Sequence, residues 1–210
     1  DHYRSCVDRI VCRPTHVAYR HSLSALFAAC IKRLFKLGNV KHIVITGPES
    51  TAKSSIATHL SKELNSPLVK EYARFYIAAL SRAYHPVDLI RIARQQTLAV
   101  RKALNKASSE WLICDTDVLT IIIWHNWKYK SQAIELENLL AANSAQHYLL
   151  CKPDIPWVFD PLRESPDDRE ALFKLYESQL QERNLSYSII EGDGEKRLNM
   201  AVDKAREAFQ

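Results

Sequence analysis

The sequence predicts an α/β fold in which a five-stranded parallel sheet lies between two layers of helices. Short apolar runs alternate five times with segments of helical periodicity, and four of the runs are almost entirely apolar. Such runs are typical of strands that are buried on both faces of a parallel sheet. At 210 residues, with 47% hydrophobic and 25% charged residues, the chain is long enough for one such domain and too short for two full ones.

The order of the elements follows from where each pattern begins and ends. The apolar runs predict strands at 42–46, 66–70, 111–117, 147–153 and 187–192. Helical spacing between them predicts helices at about 53–64, 71–81, 86–107, 118–128, 132–143, 165–184 and 194–209. Pro86 and Asp88 begin the third of these helices, and Asp88 is the expected cap.

The first 39 residues differ from the rest of the chain. They hold three of the five cysteines, contain no convincing strand and begin without methionine. Apolar residues recur at helical spacing near 22–36, which predicts one helix there. The segment is either an appended N-terminal extension over 1–39 or leader sequence outside the core, and the predicted P-loop domain occupies 40–210.

Composition excludes several classes of protein. The cysteine number is odd and no C-x-x-C pair occurs, so neither a disulfide framework nor a zinc site is predicted. No run approaches the roughly 18 apolar residues of a membrane span, and a net charge of +5 is too mild to predict nucleic-acid binding. We expect a cytoplasmic protein that acts on a small molecule, without nucleic-acid or membrane partners; homo-oligomerisation stays open.

A glycine-containing turn between the first strand and the first helix predicts a phosphate site. It matches the Walker A pattern G-x-x-x-x-G-K-[ST] at Gly47, Lys53 and Ser54. Backbone N–H groups of such a loop hold phosphate oxygens, while the lysine reaches the β- and γ-phosphates and the serine binds Mg²⁺. We therefore expect ATP and Mg²⁺ as cofactors, held by Gly47, Pro48, Glu49, Ser50, Thr51, Ala52, Lys53, Ser54 and Ser55.

Ala52 stands where the Walker A pattern has its second glycine. If the position needs a positive φ, alanine costs on the order of 1–3 kcal/mol of strain. If the position needs only a small residue, one methyl group crowds the phosphates. Either effect would weaken ATP binding or turnover without abolishing the loop, and the sequence leaves both open.

Polar residues after the later strands are the remaining candidates, because ligands of parallel sheets bind beyond the carboxyl ends of the strands. Asp115 and Asp117 end the third strand, where carboxylates can bind Mg²⁺ or accept a hydroxyl proton. Glu71 and Arg74 follow the second strand. The fourth strand leads into a proline-rich, charged segment that predicts a lid with Trp157, Asp160, Arg163 and Arg169.

In combination, these motifs resemble a known family. The stretches ITGPEST-KS, KEYAR, IARQQ, ICDTDVLT, YLLCKPDIPWVFDPLRESPDDRE and LFKLYESQL are similar to the nicotinamide-riboside kinase domain of the NadR family. They are more similar still to the single-domain AAA-type ATPases related to it. The resemblance covers roughly residues 42–209. It implies a P-loop kinase-like three-layer sandwich with an arginine-bearing lid, and transfer of the ATP γ-phosphate to the 5′-hydroxyl of nicotinamide riboside.

The resemblance also implies a role for each candidate. Asp115, or Asp117, would orient or deprotonate the hydroxyl, Trp157 would stack on the pyridinium ring, and Asp160 would contact the ribose or balance the ring charge. The other roles are phosphate and Mg²⁺ binding by Lys53 and Ser54, riboside contacts by Glu71 and Arg74, and lid arginines at Arg163 and Arg169. Lys53, Asp115 and Arg163 form the expected catalytic set, with Asp115 and Ser54 as the metal ligands.

Two departures from the family qualify this expectation. Ala52 replaces the glycine, and the residues ahead of the kinase pattern are too few for the adenylyltransferase or helix-turn-helix regions of longer NadR proteins. We therefore expect no adenylyl transfer and no repressor role. Two alternatives to the riboside kinase remain, namely a kinase for another nucleoside or nucleotide and a non-catalytic sensor of ATP or a pyridine nucleotide.

Overall fold

The computed structural model describes residues 40–106, 109–143, 145–161, 163 and 166–210. The predicted extension over 1–39, with its helix near 22–36, lies outside these residues, and the predicted domain boundary stays a prediction. Within the described residues, no helix is long and apolar enough to cross a membrane.

Five parallel strands form one sheet, in the order β2-β3-β1-β4-β5. Their bounds are β1 Lys41–Thr46, β2 Leu68–Val69, β3 Trp111–Asp115, β4 His147–Cys151 and β5 Tyr187–Ile190. β1 lies in the centre, with Val44 opposite Cys114 of β3 on one side and Tyr148 of β4 on the other. The five-stranded parallel sheet predicted from the sequence is confirmed.

Seven helices are found among the described residues, each after a strand or after another helix. Their bounds are α1 Lys53–Glu63, α2 Tyr72–Ala78, α3 Pro86–Lys106, α4 Val118–Tyr129, α5 Ile134–Ala141, α6 Arg169–Glu182 and α7 Gly194–Glu207. α1 and α7 pack on one face of the sheet against Ile43 and Ile45, and α3 to α6 pack on the other face with Val44. Alternate residues of β1 thus enter different cores, as the period of a strand requires.

Four of the five predicted strands are shorter in the structure. β2 holds two residues rather than the five of 66–70, β4 stops at Cys151 rather than at 153, and β5 stops at Ile190 rather than at 192. β3 stops at Asp115 because Thr116 takes a positive φ of 67°; its N–H donates to the Ile45 carbonyl at 3.0 Å. This turn carries the chain from the sheet into α4.

Asp88 is the third residue of α3 and not its N-cap. It nevertheless accepts the His85 N–H at 2.8 Å, which is the reciprocal half of a capping box. Its carboxylate is buried, accepts from Tyr76 at 2.8 Å and pairs with Arg82 at 2.7 Å. The Arg82 pair and the backbone bond hold the pKa of Asp88 well below its usual range.

Replacing Asp88 with asparagine should lower the free energy of unfolding at pH 7. Because the folded-state pKa is depressed, the stabilisation is present above the ordinary aspartate pKa of about 4 and is lost as the pH falls through the folded value. The free energy of unfolding, measured in urea, should therefore differ less between wild type and Asp88→Asn at pH 3 than at pH 7. Asp203→Asn, at an exposed position of α7, is the matched control; an equal Asp88→Asn effect at both pH values would contradict the assignment.

Candidate active site

The turn between β1 and α1 has the backbone of a phosphate loop. Gly47 has φ of +128°, and a Cβ added there would lie 2.7 Å from the carbonyl oxygen of Cys151. Only glycine fits this close approach to β4. Within the turn, the Thr51 hydroxyl and the Lys53 ammonium both donate to the Pro48 carbonyl, at 2.9 Å and 2.5 Å.

Ala52 is in the left-handed region, with φ of 61° and ψ of 22°. The structure therefore favours the first of the two alternatives for this position: it needs a positive φ, and not merely a small side chain. A left-handed conformation costs an L-residue about 1–2 kcal/mol. On the helical side, Ala52 is held by the Ile56 N–H, which donates to its carbonyl at 3.0 Å.

Asp115 lies at the end of β3, beside the first turn of α1. Burial raises its pKa, and a hydrogen bond from Ser54 and the charge of Lys53 oppose this rise. Its buried Oδ1 has no hydrogen-bond partner among the described residues. An orphaned carboxylate oxygen next to a serine hydroxyl fits Mg²⁺, which takes one or two protein ligands and completes its shell with phosphates and water. No cluster of three or more His, Cys, Asp or Glu ligands occurs in the described part of the chain.

Asp117 differs from Asp115, because both of its oxygens are used inside the protein. It is the N-cap of α4, where Oδ1 accepts the Leu119 N–H at 3.0 Å. Oδ2 accepts the Tyr148 hydroxyl at 2.8 Å, and burial raises the pKa of Asp117 to about 6. The structure gives Asp117 a capping role within the fold, and its expected substrate contact stays a prediction. Asp115 is the strand-end carboxylate that interacts with Ser54 and Lys53 of the phosphate loop.

Glu71 and Arg74 connect the phosphate loop with the predicted lid. Arg74 donates to Asp160 Oδ2 at 2.7 Å and lies 3.7 Å from the Glu71 carboxylate. Burial raises the pKa of Glu71, while Lys53 lowers it and Asp115 raises it further. Asp160 also lies 3.8 Å from Arg163, so its carboxylate is used by two arginines within the protein.

Ser50 is the point at which the lid segment contacts the loop. Its hydroxyl accepts the Val158 N–H at 2.8 Å and the Arg163 guanidinium at 3.2 Å. Its carbonyl accepts from Arg169 at 3.3 Å. The structure thus brings both predicted lid arginines to the phosphate loop.

Trp157 lies against these arginines. The Arg163 and Arg169 guanidinium carbons are 5.7 Å and 5.8 Å from the centre of its ring, a distance at which a cation is attracted to the indole face. Trp157 is not among the described residues that line the cavity next to the phosphate loop, although its partner Arg163 is. The geometry therefore supports orientation of the arginines by Trp157, and the expected contact of its ring with the pyridinium stays a prediction.

The cavity beside the loop gathers most of the predicted residues. All nine loop residues from Gly47 to Ser55 line it. So do Glu71, Arg74 and Arg163, whereas Asp115 adjoins it through Ser54. Its far side is formed by residues that sequence reasoning missed: Ile77, Thr120, Trp124, Leu172 and Tyr176.

Four of the cavity residues that the sequence did not predict come from helices that also build the core. Thr120 and Trp124 are four residues apart on α4, as are Leu172 and Tyr176 on α6, so each pair shares one helix face. Trp124 stacks on Tyr84 with ring centres 6.1 Å apart, and Thr120 bonds Thr46 at the end of β1 at 3.1 Å. The i, i+4 spacing was visible in the sequence, but the same spacing is equally typical of helix residues that pack in a hydrophobic core.

A family model and a curated protein match most of the chain. A family model described as an AAA domain matches residues 42–197. The trifunctional NAD biosynthesis/regulator protein NadR of Salmonella typhimurium is 27% identical over 180 residues, which cover 80% of this chain and 42% of that protein. The chain therefore spans less than half the length of this relative.

Two solved structures share the fold. A crystal structure of NadR in complex with NR aligns with a TM-score of 0.71 at 22% identity, covering 84% of this chain and 53% of that one. Thymidylate kinase from Ehrlichia chaffeensis aligns with a TM-score of 0.57 at 12% identity, covering 82% of this chain and all of that one. These alignments show that the fold is that of the P-loop kinases.

Replacing Ala52 with glycine should leave the free energy of unfolding unchanged or raise it by up to about 1 kcal/mol. Relief of the left-handed conformation offsets the greater chain entropy of glycine in the unfolded state. Ala57→Gly, in the interior of α1, should lower the same quantity by about 1 kcal/mol or more. Urea unfolding of both variants checks the pair, and equal destabilisation would contradict a left-handed residue 52.

Replacing Asp117 with asparagine should change how stability depends on pH. Because burial raises the folded-state pKa of Asp117 to about 6, the folded protein keeps this proton while the unfolded chain loses it near pH 4. The free energy of unfolding of wild type should therefore fall relative to the variant as the pH rises from 4 to 6, by on the order of 3 kcal/mol. If the free energies of unfolding of wild type and Asp117→Asn differ by the same amount across this range, the pKa of Asp117 is not raised.

Proposed function

The chain belongs to the AAA domain family, and we propose that it is an ATP-dependent kinase that phosphorylates the 5′-hydroxyl of nicotinamide riboside, giving nicotinamide mononucleotide. One observation carries the proposal: a phosphate loop, an aromatic-lined cavity and a buried carboxylate, one oxygen of which has no partner among the described residues, meet at the same edge of the sheet. The fold and the sequence of NadR, which has been crystallised with NR, support the choice of riboside.

In this proposal the loop binds the ATP phosphates through its N–H groups, as at other helix N-termini. Lys53 leaves the Pro48 carbonyl to reach the β- and γ-phosphates. Ser54 and Asp115 would hold Mg²⁺, which neutralises phosphate charge when it is bound. Arg163 and Arg169 already contact Ser50 and stabilise the charge that develops on the transferred group.

Asp115 is the group that orients the acceptor hydroxyl or takes its proton. The Asp115 carboxylate would be ionised and able to accept the hydroxyl proton, because bound Mg²⁺ would oppose the rise in pKa that burial causes. The electrons of the hydroxyl oxygen form the new bond to the γ-phosphorus as the bond to the β-phosphate oxygen breaks, and the products are ADP and the phosphorylated riboside.

The far side of the cavity suits a cationic aromatic ring. The aromatic residues Trp124 and Tyr176 and the acidic residues Glu49 and Glu71 all line this cavity. Cations are attracted both to aromatic faces and to carboxylates. We therefore assign the pyridinium contact to Trp124 instead of Trp157, and keep Glu71 and Arg74 as riboside contacts.

Substrate turnover with a nucleoside panel tests this proposal. Purified protein with Mg·ATP should release ADP with nicotinamide riboside and not with uridine, adenosine or thymidine, and mass spectrometry should detect the mononucleotide. Turnover with another nucleoside alone would replace the acceptor. ATP binding without turnover on any of them would favour a sensor over an enzyme.

Two tryptophan variants separate the acceptor contact from the lid. Trp124→Leu should raise KM for the riboside by about tenfold or more, because stacking of a ring on an aromatic side chain contributes about 1–3 kcal/mol. Trp157→Leu should change kcat through the arginines and leave this KM near wild type. The reverse pattern would return the ring contact to Trp157.

A further inference from the structure

Arg197 of α7 is a buried arginine that no part of the proposed mechanism uses. It is 2% exposed, one of the largest fully buried side chains among the described residues. Nη1 donates to Asp154 Oδ1 at 2.6 Å and to the Gly192 carbonyl at 2.7 Å. A guanidinium so far from water needs this pairing, because an uncompensated buried charge is strongly destabilising.

The other end of the guanidinium reaches the phosphate loop. Nη2 donates to the Thr51 carbonyl at 3.2 Å and to the Lys152 carbonyl, after β4, at 2.7 Å. Arg197 therefore ties the loop after β1 to the segments that follow β4 and β5. Its Nε is buried without a hydrogen-bond partner among the described residues, so Arg197 makes these contacts although one of its donors is unsatisfied.

The hydrogen bond from Arg197 to the Thr51 carbonyl affects the direction of the neighbouring Ala52 N–H. The structure has no cis peptide among the described residues, and in a trans peptide the C=O and the following N–H point in opposite directions. With the Thr51 carbonyl turned towards Arg197, the Ala52 N–H is turned to the opposite side. Phosphate loops bind their ligand through such N–H groups, so the direction of this peptide affects nucleotide binding.

This peptide also precedes a strained residue of the loop, in which Ser50, with φ of 55°, is the other non-glycine residue in the left-handed region. Ala52 follows this peptide and lies in the left-handed region, with φ of 61°. Glycine would be unstrained in this conformation, whereas alanine favours a negative φ. We propose that Arg197 is a positioning residue that holds the Thr51–Ala52 peptide, and so keeps an alanine in the conformation that the Walker A pattern gives to glycine. The inference rests on the proposed binding of ATP to this loop.

Nucleotide binding by Arg197→Lys tests the inference without reference to the acceptor. A single ammonium cannot serve both the Asp154 side and the Thr51 side. Titration calorimetry with Mg·AMP-PNP should show about tenfold weaker binding than wild type, since the strain to be offset is about that large. In turnover, KM for ATP should rise and KM for the riboside should not.

The matched control is Arg183→Lys. Arg183 forms a two-pronged pair with Glu137 at 2.7 Å and 3.0 Å, away from the loop. This control should lose stability and keep wild-type affinity for AMP-PNP. Asp154→Asn, which leaves Arg197 in place but weakens its anchor, should weaken AMP-PNP binding in the same direction by less, and it serves if Arg197→Lys does not fold.

The deciding result comes from the Ala52→Gly background. There the left-handed conformation is unstrained, so Arg197→Lys should weaken AMP-PNP binding by less than about threefold. Equal losses in both backgrounds, or no loss in either, would overturn the positioning role. Failure of wild type to bind AMP-PNP would overturn the proposed function itself, and this inference with it.

Discussion

The parallel alignment of β1, β3 and β4 is the constraint on which the candidate site depends. Because their carboxyl ends meet at one edge, the loop after β1, Asp115 of β3 and the Lys152 carbonyl after β4 are neighbours. Gly47 lies so close to the Cys151 carbonyl that no side chain fits. The shape of the phosphate loop is thus set by the neighbouring strand as much as by its own residues.

The loop is in turn held from two directions. Ser50 connects it to the lid segment through Val158 and Arg163, and Arg197 connects it to the ends of β4 and β5. The lid segment is therefore hydrogen-bonded to the loop that would bind the phosphates. Lids that close over a substrate complete a site through such contacts.

Burial raises the pKa of three neighbouring carboxyl groups, yet their partners give them different roles. Asp117 uses both oxygens to cap α4 and bind Tyr148, so it supports the fold. Asp115 keeps one oxygen without a partner among the described residues, and Glu71 lies beside Arg74 at the cavity. The number of internal partners, more than the direction of the pKa shift, distinguishes a structural carboxylate from one that can act on a ligand.

The apolar runs and helical spacing were sufficient to predict all five strands, the order of the helices and the phosphate loop, because these depend on local periodicity and on short motifs. The strands β2, β3, β4 and β5 were predicted too long, since backbone turns such as that at Thr116 leave no periodic signal. Only the tertiary structure could show that residue 52 is left-handed, that Asp117 accepts a hydrogen bond from Tyr148 and that Trp124 lines the cavity. These facts depend on contacts between residues distant in sequence, and a pattern within one segment carries no information about them.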